Sequence, residues 1–385
     1  MQIDSPKIDN VLENAAQQKV PAVSAAVISK DEDLYKGNFG FKDLENKDPV
    51  DDNTLFRIAS MTKAITSTCI YQLIDKDILS LDTNLKDYFP EISDKKVIRG
   101  FDDNGDPILS DVSNDINIGH LLTHTSGFAY EIWNESIAKL VEKGDLQSAF
   151  ANNDEFLKAP LVFEPGSDWE YGIGIDWLGV LIEKINECSL QEYMHTHIFE
   201  PLGMSNTSYD LDKSKHSRVA KVYGRNGDEY FEMPFEVPEK SSFYSGGGNL
   251  ISSLDDYSKF LKIFLNSGKG SQEQIISESS INSMLSSLNE ELVMKKMLTQ
   301  VPMLSNDVDF FPTSTKSWSP GFMVNHEDIR SGRPKNSSGW AGLFNSFFWI
   351  DPKNEIAALI LMQMLPFSEE GCFTTLQEFE GSIYS

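Results

Sequence analysis

The sequence predicts an α/β (α+β) protein in which an antiparallel sheet, built from both chain ends and flanked by helices, carries an inserted, mainly helical domain. Three observations lead there. Strand-like runs bracket turn residues near both termini. The middle of the chain, about residues 82 to 209, follows helical periodicity. One early segment, Ala59 to Ile74, is small or apolar on every side, as an interior helix is. A chain of 385 residues exceeds what one core usually supports. The expected division is therefore a sheet domain of residues 1–81 and 210–385 and a helical domain of residues 82–209.

Each element has its own signal. Ala22 to Ser29 and Leu34 to Phe41 flank the polar turn Lys30-Asp31-Glu32-Asp33 and read as a hairpin. The buried helix follows. The helical middle is punctuated at Pro160, Pro165-Gly166 and Pro201-Leu202-Gly203. Within it, Ile175, Leu178, Leu181, Ile182 and Ile185 set a helix just after Tyr171. Val219 to Pro238 alternates around Asn226-Gly227-Asp228, a second hairpin. Leu343 to Ile350 and Glu355 to Met364 bracket Asp351-Pro352-Lys353-Asn354 as two strands, the second apolar enough to be central. No solenoid-length repeat or low-complexity tract interrupts this order.

Composition narrows the function classes. With 40% apolar and 24% charged residues, the chain has the profile of a soluble globular protein. Lys and Arg number 33 against 59 Asp and Glu, a formal charge of −26. So acidic a surface repels phosphate backbones and anionic lipid, which argues against nucleic-acid and membrane partners. No apolar run approaches the ~20 residues of a membrane span, and the start, Met1 to Pro6, lacks the basic and apolar regions of a secretory signal. Cys69, Cys188 and Cys372 are odd in number and far apart. They read as buried thiols in a reducing compartment, and a cytoplasmic location is the expectation. The oligomeric state is not written in the sequence.

Ser60-Met61-Thr62-Lys63 is the strongest local signal. Lys63 is the only charged residue between Arg57 and Asp75. A helix puts positions i and i+3 on one face, so the Lys63 amine can reach the Ser60 hydroxyl. Burial lowers a lysine pKa and makes the neutral amine available as a base, and the helix N-terminus favours a serine that loses its proton. A capping serine followed by a snorkelling lysine fits the same residues. A second signal is Glu164 to Gly172, where a Pro-Gly turn delivers Tyr171 to the head of a helix. Its hydroxyl could serve as a tyrosinate or relay for the serine proton, or simply sit wet at a boundary. The third is Gly339-Trp340-Ala341-Gly342, directly before the strand expected from Leu343. Small residues there admit a substrate, or mark a bulge.

In order and context, these three motifs resemble those of the serine hydrolases with the penicillin-binding-protein and class C β-lactamase fold. The supporting stretches are Leu55 to Ser60, His120 to Gly127, Pro201-Leu202-Gly203-Met204 and Ser245-Gly246-Gly247-Gly248. The resemblance spans nearly the whole chain and is nearest to the family VIII carboxylesterases and a related fungal acyltransferase group. It implies Ser60 as the acylated nucleophile, Lys63 as its base, and Tyr171 in place of the tyrosine of Tyr-x-Asn. Trp340-Ala341-Gly342 takes the place of Lys-Thr-Gly on the edge strand of the site, and the resemblance sets that active site between the sheet domain and the helical domain. The oxyanion hole would be the backbone N–H groups of Ser60 and Leu343.

Two departures point away from β-lactams. Trp340 replaces the lysine that holds the drug's carboxylate, and Ile173 replaces the asparagine that binds its side-chain amide. An unpaired carboxylate would be costly to desolvate, so an uncharged ester suits Trp340 and Ile173 better. The expectation is a serine carboxylesterase that works through an acyl-enzyme on a small-molecule ester, with alcohol as a second acceptor. It needs no metal and no cofactor. The rivals are a class C-type β-lactamase or D-amino peptidase and, in another class, a non-catalytic penicillin-sensing or acyl-binding domain. His120 and His124 have metal-like spacing but no third ligand, so packing or capping is expected of them. His195 and His197 diverge on a helix, and Gly246 to Gly248 lack the context of a phosphate loop. There is no Gly-x-Ser-x-Gly elbow. Met284, Met294, Met297 and Met303 could line an acyl pocket or fill core.

Overall fold

Both chain ends contribute strands to one antiparallel sheet. A computed structural model describes residues 3–271 and 273–384. In chain order the strands are β1 (Ala22–Ser29), β2 (Asp33–Asp43), β3 (Asp48–Pro49), β4 (Leu55–Arg57), β5 (Lys96–Phe101), β6 (Pro107–Asp111) and β7 (Val222–Asn226). They continue as β8 (Glu229–Met233), β9 (Ile251–Ser253), β10 (Lys316–Trp318), β11 (Met323–Asn325), β12 (Ser338–Gly342), β13 (Ser346–Asp351) and β14 (Ile356–Leu361). The large sheet has eight strands in the order β10-β11-β12-β13-β14-β1-β2-β3. The seam between the two chain ends is the β1–β14 pair, from Ser24 opposite Leu361 to Ser29 opposite Ile356.

Every residue of β13 and β14 is buried, which requires cover on both faces of the sheet. Adjacent residues of β13 show what supplies it. Phe348 meets Tyr257 of the helix Leu254–Leu265, ring centroids 5.3 Å apart. Trp349, pointing the other way, meets Phe379 of the C-terminal helix Glu370–Tyr384 at 5.8 Å. The N-terminal helix Ser5–Gln18 packs beside that C-terminal helix. Its start is set by Asp4, whose side chain accepts from the Lys7 N–H, satisfying one of the donors a helix leaves open.

The hairpin over residues 22–43 and the one around Asn226-Gly227-Asp228 form as expected. So does the apolar helix, Thr62–Asp75, in which every residue from Thr62 to Leu73 is buried. Two features differ from the sequence reading. The segment after residue 82 contains a two-stranded hairpin, β5–β6, besides its helices. Its register slips between Ile98 and Gly100, which blurs the alternation that marks a strand. The segment Ser338–Gly342 is itself β12, not the lead-in to a strand. Leu343 to Asn345 form the turn to β13, because Asn345 takes a left-handed φ of 63° and its N–H returns to the Gly342 carbonyl.

The remaining small expectations divide. Cys69 and Cys372 are buried, Cys188 is only half-buried, and all three are free thiols. Met284, Met294 and Met297 are core, whereas Met303 is 74% exposed. Among the described residues, no helix is long and apolar enough to cross a membrane.

Candidate active site

Ser60 lies in a one-turn 3-10 segment, Ala59–Met61, that runs straight into the buried helix. Ala59 before it adopts φ +43°, a left-handed conformation that a side-chain-bearing residue holds only when its surroundings impose it. The result is that Ser60 is partly exposed while Lys63, one turn on, is fully buried at 1%. The Lys63 amine lies 3.2 Å from Ser60 Oγ. Burial pushes its pKa down from 10.5 to about 8, although the charge of Asp176 opposes that shift.

Tyr171 arrives from the Pro-Gly turn that the sequence marks, just ahead of the helix Gly174–Asn186. It is buried, its hydroxyl is hydrogen-bonded to Ser60, and it accepts from Trp340 Nε1 at 2.9 Å. Burial drives the phenol upward despite those two hydrogen bonds, so it stays protonated at neutral pH. The Lys63 Nζ also stands over the Tyr171 ring, 4.8 Å from its centroid.

The third segment reaches the site because β12 packs against the Ala59–Met61 turn. Gly342 makes that approach possible: a Cβ there would lie 2.4 Å from the Ile58 carbonyl oxygen. This contact brings the residue that follows, Leu343, alongside the segment that carries Ser60. On its other side, among the described residues, β12 pairs with β11 only at Ser338 and Gly339, which leaves Trp340 to Gly342 without a strand neighbour there. Trp340 and Ala341 are buried. Ile173 is 2% exposed at the head of the 174–186 helix, where its carbonyl accepts from the Asp176 and Trp177 N–H groups.

Sequence reasoning missed two residues that touch this cluster. Tyr130 Oη is 3.1 Å from Lys63 Nζ and donates at 2.6 Å to Asp176 Oδ2. Asp176 also accepts from the Gly247 N–H at 2.9 Å and from the Ser245 hydroxyl. The glycine stretch, seen only as a family marker, closes the ring: the Gly247 carbonyl accepts from Lys63 at 2.7 Å and that of Gly246 from Thr66 at 2.7 Å. A Cβ on Gly247 would lie 2.5 Å from both Asp176 Oδ2 and Tyr130 Oη. Asp176 had a readable signal, since it is the lone charge between Glu170 and Glu183, the same pattern that marks Lys63. Tyr130 had none.

His120 and His124 make capping and packing contacts. His120 Nδ1 accepts from the Asn117 N–H in a capping box. His124 is buried, accepts from the Gly172 N–H at 3.3 Å, and packs 4.6 Å from the Tyr171 ring and 4.7 Å from Trp318. Burial, then the nearby Lys63, holds it well below its ordinary pKa and therefore neutral. Among the described residues, no His, Cys, Asp or Glu group is placed to hold a metal.

A buried amine beside a serine hydroxyl, with a protonated phenol hydrogen-bonded to the same serine, can carry out acyl transfer, and the chain is similar to proteins named for such chemistry. A methylbutanoyltransferase acting on ML-236A carboxylate, from Penicillium citrinum, is 26% identical over 96% of this chain and 91% of its own length. A lovastatin esterase from Penicillium rubens is 26% identical over 88% and 87%. Among solved structures, a mutant of simvastatin synthase from Aspergillus terreus superposes with a TM-score of 0.84 at 25% identity, covering 98% of this chain and 93% of that one. The fold is shared too with EstCE1, described as a hydrolase with promiscuous acyltransferase activity, at a TM-score of 0.79, 19% identity, and 99% and 98% coverage. The beta-lactamase family model matches residues 8–380, and the chain therefore belongs to that family, as a serine hydrolase with acyltransferase and esterase relatives.

Proposed function

We propose that the protein is a serine carboxylesterase that acts on uncharged carboxylic esters through an acyl-enzyme on Ser60. The observation that carries this reading is the Trp340–Tyr171 hydrogen bond. An indole, not a cation, faces the catalytic phenol, so a substrate carboxylate would go unpaired at that point of the site. The likeness to family VIII carboxylesterases belongs to the same reading.

In the first step the Ser60 proton passes to Lys63 Nζ as Ser60 Oγ bonds to the ester carbonyl carbon. The carbonyl oxygen becomes an oxyanion held by the Ser60 and Leu343 N–H groups. Collapse of that intermediate breaks the ester C–O bond, and the leaving alkoxide takes the proton back from Lys63, directly or through Tyr171. Water then attacks the acyl-enzyme, gives its proton to the same base, and releases the acid and Ser60. An alcohol in place of water gives a new ester. The methylbutanoyltransferase relatives favour this second reading.

The test is one preparation assayed with a p-nitrophenyl ester series of increasing acyl length, with nitrocefin, and with added alcohol. Turnover of esters without nitrocefin hydrolysis supports the reading. Nitrocefin hydrolysed at a matching kcat/KM makes the protein a β-lactamase, and a single product burst without steady state makes it an acyl-binding or sensing domain. The proportion of new ester formed measures the transferase share. Ser60→Ala should abolish turnover, and a fluorophosphonate adduct should map to Ser60.

A further inference from the structure

Lys63 has more hydrogen-bond neighbours than a neutral amine has N–H bonds, and counting donors resolves what each one does. The Gly247 carbonyl, 2.7 Å away, only accepts. Tyr130 Oη, 3.1 Å away, has a single proton and gives it to Asp176 Oδ2 at 2.6 Å, so it presents lone pairs to the lysine. Three donors converge on Asp176: the Tyr130 hydroxyl, the Ser245 hydroxyl and the Gly247 N–H. That is the environment of a carboxylate, which has no proton to give. A neutral Lys63 thus spends its two N–H bonds on Gly247 and Tyr130. Its remaining lone pair meets the Ser60 hydroxyl, 3.2 Å away.

We propose that Asp176 is a positioning residue for the base: its one carboxylate fixes both acceptors of the Lys63 N–H bonds and so reserves the amine's lone pair for the Ser60 proton. The inference rests on the reading of Ser60 as the acylated serine. Asp176 is 1% exposed, in the first turn of the 174–186 helix, and the residue it steadies, Gly247, tolerates no side chain against it. Without the carboxylate, Tyr130 is free to turn its proton toward Lys63 and occupy the lone pair. A hydrogen-bonded group that fixes the state of a base acts through orientation, and such orientation is lost when the acceptor becomes able to donate.

Asp176→Asn keeps the shape while removing both the charge and one acceptor oxygen, and two readouts report the two losses separately. The groups facing Lys63 are Ser60, Tyr130, Tyr171, Gly247, Asp176 and the neutral ring of His124. Of these Asp176 supplies the negative charge that raises the lysine's pKa. Its removal therefore moves the acid limb of the kcat/KM profile to lower pH. At the same time the plateau kcat, normalised by fluorophosphonate titration of Ser60, falls by about 10-fold or more. That pair of changes is the expected result. A purely structural role lowers the folded fraction, which titration cancels, and leaves the normalised plateau in place. An unchanged plateau, or a lower plateau with an unmoved limb, overturns the proposal. Should Asp176→Asn lack a native thermal transition, Tyr130→Phe decides: a loss of about 10-fold or more in kcat supports the proposal, and native kcat overturns it. Absence of label on Ser60 in the native enzyme is the separate failure of the acyl-enzyme reading.

Discussion

The indole Nε1 of Trp340 donates a 2.9 Å hydrogen bond to the hydroxyl of Tyr171. The two rings lie 4.9 Å apart at their centroids, and both are buried. On the proposed reading the tryptophan does two things: it leaves the site without a cation at this point, and its hydrogen bond steadies the phenol beside Ser60.

Trp340→Phe tests the second of these. It keeps an aromatic ring and deletes the donor, and one neutral hydrogen bond is worth about 1 kcal/mol. The expected result is a fall in kcat of about 5-fold with a smaller change in KM, read by steady-state kinetics on a short-chain p-nitrophenyl ester. An unchanged kcat would show that Tyr171 is held by its packing alone.

The pH profile follows from the base. Burial holds Lys63 down to about 8, and its neutral form increases with pH. For a neutral ester, kcat/KM should therefore climb as pH passes through about 8 and then level off. Tyr171 is driven the other way and stays protonated across this range. A profile already flat from pH 6 upward would mean that another group takes the serine proton.

Lys63→Met should abolish turnover and raise stability at neutral pH. A lysine whose folded pKa is about 8 against an ordinary 10.5 must give up its proton, or bury a charge, in order to fold. At 1.36 kcal/mol per unit this penalty reaches about 3 kcal/mol, offset in part by the hydrogen bonds lost with the amine. It is fully present below pH 8 and fades as pH rises toward 10.5. The variant's advantage in urea unfolding should accordingly be largest at pH 7 and vanish near pH 10.5. An advantage independent of pH would contradict a lysine pKa held down by burial.

Gly342→Ala places a methyl 2.4 Å from the Ile58 carbonyl oxygen. Neither backbone segment can yield without moving β12 away from the Ser60 turn. Overpacking of this kind costs about 1–3 kcal/mol, and activity should fall by more than the folded fraction does. Comparing kcat per titrated Ser60 with the urea midpoint separates the two effects. A stable variant with full kcat would remove Leu343 from the oxyanion site.

What the sequence alone determined were the features that a local pattern encodes. Strand-like runs on either side of polar turns marked the terminal hairpins, and an apolar surround over Ala59 to Ile74 marked the helix now seen as Thr62–Asp75 as interior. A lone charge in that helix singled out Lys63, since a buried charge must be paired or neutralised. The same rule applied to the helix Gly174–Asn186 would have found Asp176, whose neighbours on either side are apolar. Tertiary structure decided the rest. Tyr130 follows Gly127 in a loop and resembles any boundary tyrosine until Asp176, 46 residues later, takes its proton. The carbonyl that holds Lys63 belongs to Gly247, 184 residues from it, and a backbone acceptor leaves no trace in composition or periodicity. The strand assignment of Ser338–Gly342 likewise came from pairing with β13, since two glycines in five residues weaken any strand signal. The pattern of residues records what each segment buries, but which proton faces which lone pair is settled only when distant segments meet.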